Sequence, residues 1–202
     1  MPDNYTRGIT RIMENIHQVL TGLTGPARFY FIRHGESEGN TRGKMQGLHD
    51  SPLTETGRQQ ASQTARWIHR SGITVHRLFA SPLARAAETA SIISRGADLP
   101  EPEVLESAVE LETGIFTDYS FGEIKENFPD EYAEFVVGGW EAVPGAERVD
   151  SLIHRGLQTW RVMAEAANGV HREAENGEPA TIMTVTHGGM LQWILKVSFG
   201  AV

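Results

Sequence analysis

Apolar positions along the chain follow first a helical and then a strand period. Between residues 9 and 23 they recur at intervals of three and four, which predicts a helix that Gly25 and Pro26 end. The run ARFYFI at 27–32 is continuously apolar apart from Arg28 and predicts a buried strand.

The remaining chain alternates in the same way. Helices are predicted at 54–72, 83–94, 129–137, 149–168 and 190–199, and strands at 76–80, around 104 and at 180–186. Thr54 is the expected N-cap of the first of these helices and Gly72 its end. Alternating strands and helices predict an α/β three-layer sandwich, with a mostly parallel central sheet and helices on both faces. Residues 1–26 would form an N-terminal helical extension, and residues 27–202 one domain.

Three predicted strands end in a polar residue that glycine or proline follows directly. These residues are His34, Ser81 and His187. In open parallel sheets, ligands bind beyond the carboxyl ends of the strands. The sequence therefore places a functional site where these three residues would meet.

Composition narrows the possible function. The 202 residues carry a formal charge of −8, which argues against nucleic acid or an anionic membrane as a partner. No cysteine is present, so disulfides, thiolate metal sites and cysteine nucleophiles are excluded, and a cytoplasmic location is expected. The first residues lack the pattern of a secretory signal, and no apolar run reaches the roughly 20 residues of a spanning helix.

A local cationic cluster favours a small anionic ligand. Arginine forks, an amide side chain and the N–H groups of turns are the usual donors to a phosphate, and Arg33, Arg85 and Asn40 could supply the side chains. Without cysteine, the nucleophile would be His, Ser, Asp or Glu. His34 is the best candidate, with its second ring nitrogen held by a backbone carbonyl of the following turn. His187 would donate to the transferring group.

Four segments together resemble the histidine phosphatase (phosphoglycerate mutase-like) superfamily. They are RHGESEGN at 33–40, QGLHDSPLTETGRQQA at 46–61, SPLARAAETA at 81–90 and THGG at 186–189. The resemblance implies that His34 is the phosphorylated nucleophile, and it implies a phosphate pocket with five further members: Arg33, Ser37, Asn40, Arg85 and His187. The Gly188 amide would assist.

The same resemblance implies a glutamate proton donor four residues before a glycine. Glu110 stands at that distance from Gly114, and Glu112 is the fallback. Glu147 lies in PGAER, which matches a family turn only in part, and is interpreted as structural. Aromatic residues between 116 and 140 would hold the irregular segment down.

Less specific interpretations compete for some of these residues. Arg85 could pair with Glu88 on its own helix, and His49 could lie at the pocket mouth or on the surface. A metal hydrolase could use His34, His49, Asp50 and His187 as ligands, although two neighbouring arginines disfavour a divalent cation.

The sequence therefore predicts a metal-independent phosphomonoester hydrolase that forms a phosphohistidine on a small phosphorylated metabolite. No metal or organic cofactor, nucleic acid or membrane partner is expected, and the protein would be a monomer or a homodimer. A phosphoglycerate mutase of the same family is the first alternative, which the short segment from 100 to 148 disfavours. A catalytically silent phospho-ligand binding module is the second alternative.

Overall fold

The computed structural model describes residues 16–173 and 178–199. Residues 16–21 are helical (α1), and positions 9–15 of the predicted first helix lie outside the described residues. The order along the chain is then β1 (Ala27–Arg33), α2 (Glu38–Thr41), α3 (Glu55–Ser71), β2 (Arg77–Ala80), α4 (Ala84–Ala97), β3 (Glu103–Val104), α5 (Phe121–Asn127), α6 (Pro129–Gly138), α7 (Val149–Glu173), β4 (Ala180–Thr186) and α8 (Gly188–Phe199). Short 3₁₀ turns occupy Glu106–Ala108, Gly114–Phe116 and Gly139–Ala142.

The four described strands form one parallel sheet in the order β1-β4-β2-β3. Every residue of the central strand β4 is buried, as its unbroken run of small, apolar and threonine side chains requires. Arg33 pairs with Thr186, and Ala80 pairs with Val185. The carboxyl ends of β1, β4 and β2 therefore lie side by side.

Helices cover both faces of the sheet, which confirms the predicted α/β sandwich. Successive residues of β1 point to opposite faces, as the twofold period of a strand dictates. Tyr30 and Ile32 pack with α3 and α4, whereas Phe29 and Phe31 pack with α7 and α8. On the second face, Trp160 of α7 meets the rings of Phe29 and Phe31 edge-on, at centroid separations of 5.1 and 5.5 Å.

The end signals of α3 are confirmed. The Thr54 hydroxyl accepts the Gly57 N–H at 3.0 Å, and Gly72 ends the helix at φ 65°. The start of α3 matters for the site, because the first turn of this helix packs directly on the turn that follows β1. A Cβ atom at Gly35 would lie 2.5 Å from the Gly57 carbonyl oxygen.

The segment between β3 and α7 is held by aromatic packing. Phe116, Ile124 and Val143 are buried at its centre, and further side chains surround them: Met45, Ile115, Tyr119, Phe128, Tyr132, Phe135, Trp140 and Ala146. Periodicity did not predict α5, which is only seven residues long and begins with a capping box between Ser120 and Glu123. The aromatic residues of this segment therefore form its own small core, in agreement with the structural interpretation.

Candidate active site

The site lies where β1, β4 and β2 end. The ladders continue one residue beyond the strands, since the His34 N–H donates to the Thr186 carbonyl and the Ser81 N–H to the Val185 carbonyl, both at 3.0 Å. His187 follows Thr186 directly. As a result, the imidazole rings of His34 and His187 come to a centroid separation of 5.0 Å.

His34 has a defined tautomer. Its Nδ1 lies 2.7 Å from the Gly35 carbonyl oxygen, which can only accept, so Nδ1 carries the proton. This is the backbone contact that the sequence predicted. Thr89 of α4 holds this turn in place. Its hydroxyl accepts the Gly35 N–H at 3.0 Å and donates to the Arg85 carbonyl. In the neutral ring, Nε2 therefore presents a lone pair.

The neutral form of His34 is strongly favoured. Burial lowers the pKa of His34 to about 4, with the hydrogen bond to Gly35 acting in the opposite direction and the positive charges of Arg85 and Arg33 adding to the decrease. At neutral pH the ring is therefore an uncharged imidazole.

The two arginines lie in different environments. Arg85 is 1 % exposed, and its guanidinium donates to the carbonyls of Gly47 and His49 at 3.0 and 2.8 Å. The alternative pairing of Arg85 with Glu88 is not found, because Glu88 binds Arg58 instead. Arg33 is exposed and lies against Gly188, and its guanidinium has no hydrogen-bond or ion-pair partner among the residues that the structure describes.

His187 is fully buried at the centre of the site. Its Nε2 lies 2.7 Å from the Ser81 hydroxyl oxygen. Burial lowers the pKa of His187 to about 2, with contributions from the charges of Arg85, His34, Arg33 and Arg155. Within the described residues, three buried side-chain nitrogens have no partner, and two of these lie here: Nδ1 of His187 and Nε of Arg85.

The predicted assisting residues divide into two groups. Asn40 lines a cavity of about 310 Å³ with Arg33, His34, Glu36 and Gln60. Ser37 does not line it: the side chain is fully buried and caps α2, and its hydroxyl oxygen lies 3.0 and 2.9 Å from the side-chain oxygens of Asn40 and Gln46. The structure therefore places Ser37 behind Asn40, where it orients the amide instead of meeting a ligand.

Glu110, and not Glu112, binds the start of α8 with its carboxylate. Its carboxylate accepts the N–H groups of Gly189 and Met190, at 3.1 and 2.8 Å, at the start of α8 directly after His187. The Leu111 N–H donates to the same oxygen as Met190, at 3.0 Å. Glu110 also contributes to the charge environment of Arg85. The carbonyl of Glu112 accepts the Glu147 N–H, and within the described part of the chain its carboxylate has no hydrogen bond to a pocket residue.

Sequence reasoning missed several residues of the site. Gln60 and Glu36 line the cavity and bind each other, since the Glu36 N–H donates to Oε1 of Gln60 at 2.8 Å. Arg155 of α7 donates to the carbonyls of Ser107, Val109 and Glu110, and so holds the segment that carries Glu110. The period of α7 marks Arg155 only as polar, so no local signal identified it.

Two of the four candidate ligands of the metal alternative, His49 and Asp50, bind other partners. The Nδ1 of His49 pairs with exposed Asp118 at 2.6 Å, and Asp50 accepts the Ala84 N–H at the start of α4. Among the described residues, no group of three or more histidine, aspartate or glutamate side chains is arranged to hold a metal ion.

Over the same described ranges, none of the helices combines the length and the apolar character that crossing a membrane requires. The cytoplasmic location, the oligomeric state and the division at residue 26 stay predictions.

Comparison with known proteins agrees with this geometry. The chain is 33% identical over 108 residues to rat 6-phosphofructo-2-kinase/fructose-2,6-bisphosphatase 1, a match that covers 54% of the chain and 21% of that relative. The chain thus spans about a fifth of that relative's length. It is 45% identical over 67 residues, 33% of the chain and 30% of the relative, to a probable phosphoglycerate mutase GpmB of Cronobacter sakazakii.

Among solved structures, mycobacterial glucosyl-3-phosphoglycerate phosphatase Rv2419c superposes with a TM-score of 0.67 at 22% identity, covering 84% of this chain and 81% of that one. This likeness establishes the shared fold. The family model of the histidine phosphatase superfamily (branch 1) matches residues 29–201. The chain belongs to the histidine phosphatase superfamily.

Proposed function

We propose that the protein is a metal-independent phosphatase that hydrolyses a small phosphorylated metabolite through a phosphohistidine at His34. One observation supports this most directly: the rings of His34 and His187 lie 5.0 Å apart, and Nδ1 of His187 and Nε of Arg85 are buried without a partner among the described residues. A buried donor without a partner costs about 1–3 kcal/mol, which an oxyanion in the pocket would recover.

In the first step, Nε2 of His34 attacks phosphorus and the bond to the ester oxygen breaks. The donors from Arg33, Arg85 and His187 hold the phosphoryl oxygens, where charge is distributed in the transition state. Nδ1–H of His34 keeps its bond to the Gly35 carbonyl, which stabilises the positive charge that forms on the ring.

Glu110 would move protons in both steps. A carboxylate oxygen offers about two acceptor positions, and Oε1 already accepts from Leu111 and Met190. Oε2 accepts only the Gly189 N–H among the described contacts, so it is the atom available to the leaving group. In the acid form Glu110 gives its proton to the departing alkoxide. As a carboxylate it then takes a proton from the water that attacks phosphohistidine.

The cavity suits a small substrate. Its volume of about 310 Å³ is at the lower end for ligand pockets. Arg33 supplies positive charge at the mouth, while Glu36 and Gln60 add polar groups that could meet hydroxyl or amino functions. The mutase alternative is kept, because the chain is 45% identical over 67 residues to a probable phosphoglycerate mutase.

A phosphate-release screen tests the proposal. Wild-type protein should release inorganic phosphate from at least one member of a panel of phosphorylated sugars, glycerates and amino acids, with chelator present. Rapid quenching should trap an acid-labile, base-stable phosphoryl group that His34→Ala abolishes, while the exposed His69→Ala variant behaves like wild type. Isomerisation of phosphoglycerate with little release would favour the mutase. Binding of phosphate without turnover of any ester would favour the binding module.

A further inference from the structure

The contact between Ser81 and His187 has no assigned role. Ser81 directly follows β2, lies fully buried, and places its hydroxyl 2.7 Å from Nε2 of His187. The hydroxyl oxygen is also 3.3 Å from the Leu83 N–H, which can only donate to it. Both contacts are fixed by the start of α4 and by the end of the sheet.

Counting protons assigns the direction of this bond. The Ser81 hydroxyl has one proton, and Nε2 of His187 is its one acceptor among the described residues. If Nε2 carried the ring proton instead, the hydroxyl would accept two N–H groups and leave its own proton buried without a partner. The Nδ1 lone pair of His187 would also be unmet in that arrangement, whereas the opposite arrangement leaves only the Nδ1 proton unmet. Since each unmet buried group costs about 1–3 kcal/mol, the hydroxyl as donor is favoured.

We infer that Ser81 is a positioning residue: its hydroxyl donates to Nε2 of His187 and holds the neutral ring in the tautomer with the proton on Nδ1. The inference rests on the proposed function for its purpose. The Nδ1 atom is buried and lacks a partner, so in this tautomer it is a free donor for a phosphoryl oxygen. In the opposite tautomer, Nδ1 would present a lone pair to an anion and repel it.

The hydrogen bonds of the two rings also explain why one histidine would serve as nucleophile and the other as donor. In His34, the acceptor beside Nδ1 forces the proton onto Nδ1 and frees the Nε2 lone pair. In His187, the donor beside Nε2 blocks that lone pair and frees the Nδ1 proton. On each ring, the residue that binds one nitrogen therefore determines the role of the other nitrogen.

Nitrogen NMR of the histidine rings tests the tautomer directly. Two-bond ¹H–¹⁵N correlations of ¹⁵N-histidine-labelled protein, without phosphate, should show a protonated Nδ1 and an unprotonated Nε2 for His187. The spectrum of His187→Gln identifies the signals. A protonated Nε2 with a bare Nδ1, or protonation of both atoms, would overturn the inference. This measurement uses wild-type protein and needs no turnover.

Variants of Ser81 test the consequence. Ser81→Ala should lower kcat by about 10–100-fold, the usual effect of removing a group that orients a functional histidine. It should also weaken inhibition by inorganic phosphate and shift the His187 nitrogen signals. Ser81→Thr, which keeps the hydroxyl, should restore kcat if it folds. Ser94→Ala removes a buried hydroxyl that binds the Leu99 carbonyl, and it should leave kcat and the His187 signals unchanged.

The two proposals can fail separately. If wild-type protein turns over esters while His187 holds its proton on Nε2, the role of Ser81 is wrong and the phosphatase stands. If His187 shows the Nδ1–H tautomer but no ester is hydrolysed, the proposed function is wrong and the assignment of the hydrogen bond stands. Unchanged kcat in a folded Ser81→Ala variant would also refute the positioning role.

Discussion

Replacing Arg155 should destabilise the protein more than replacing its partner Glu147. Arg155 binds both carboxylate oxygens of Glu147 and also donates to three backbone carbonyls around Glu110. The two side chains are only 16 % and 14 % exposed. They therefore form a nearly buried ion pair that fixes α7 to the segment carrying the proposed proton donor.

These contacts determine how much stability each substitution should cost. Arg155→Met leaves the Glu147 carboxylate with the Ser151 hydroxyl at 2.7 Å and the backbone of Glu112, and it removes the shared donor of three carbonyls. Breaking a buried pair in this way costs about 3–5 kcal/mol. Glu147→Gln keeps an acceptor and leaves Arg155 bound to the carbonyls, so a loss of about 1–2 kcal/mol is expected, typical of one charged hydrogen bond.

The acid dependence of the pair has a definite sign. Burial acts to raise the pKa of Glu147, but the hydrogen bonds from Arg155 and Ser151 outweigh it and hold the pKa below its ordinary value of 4.5. The stabilisation is thus complete above pH 4.5 and is lost as pH falls through the folded pKa. The stability difference between wild type and Glu147→Gln should shrink over that window.

Urea unfolding followed by tryptophan fluorescence measures these losses, and initial rates of phosphate release measure the effect on activity. Arg155→Met should also lower kcat, because the backbone of Glu110 loses its support. Arg148→Met, at an arginine 73 % exposed on its side chain, is the control and should cost less than about 1 kcal/mol. The reasoning would be refuted if Arg155→Met and Glu147→Gln lowered the free energy of unfolding equally. It would also be refuted if Arg155→Met lowered it no more than the control Arg148→Met does.

Three further predictions concern the site itself. Glu110→Gln should slow hydrolysis of an alkyl phosphate by about 10²–10⁴-fold, as for other general acids, whereas Glu112→Gln should change the rate little. Steady-state rates of the two variants test this, and a larger loss in Glu112→Gln would assign the proton transfer to Glu112. An NMR titration should place the midpoint of His34 near pH 4. Since the pKa in the folded protein lies below the ordinary 6.5, the stabilisation from neutral His34 is full above pH 6.5 and falls as pH drops toward 4. A midpoint at or above 6.5 would contradict the account of the nucleophile. Gly35→Ala should cost about 1–3 kcal/mol through overpacking, because its Cβ would lie 2.5 Å from backbone of α3, and urea unfolding should show little loss for Gly122→Ala, whose Cβ would reach its nearest neighbour only at 4.0 Å.

Local chemistry was sufficient to predict most of the framework. The apolar run of β1, the caps of α3 and the amphipathic period of α7 depend on neighbours within a few residues, and each was confirmed. The seven-residue helix α5 and the four-residue helix α2 were not predicted, because segments of one or two turns carry too little periodicity to be recognised.

The site residues also differed in whether local sequence was sufficient to identify them. His34 and His187 were recognisable because each follows a strand and precedes a glycine, and strand ends in a parallel sheet converge. Gln60 and Arg155 sit on helical faces that local pattern describes only as polar. They reach the site because α3 and α7 pack against opposite faces of the sheet.

The sequence by itself determined the alternation of strands and helices, the residues at the strand ends, and the family to which its four motifs belong. Only the tertiary structure decided which nitrogen of each histidine is free, that Glu110 binds the start of α8, and that Ser37 lies behind the pocket. The physical reason is that these properties depend on hydrogen bonds between residues far apart in the chain, such as Ser81 with His187 and Glu110 with Met190. No local pattern records such partners.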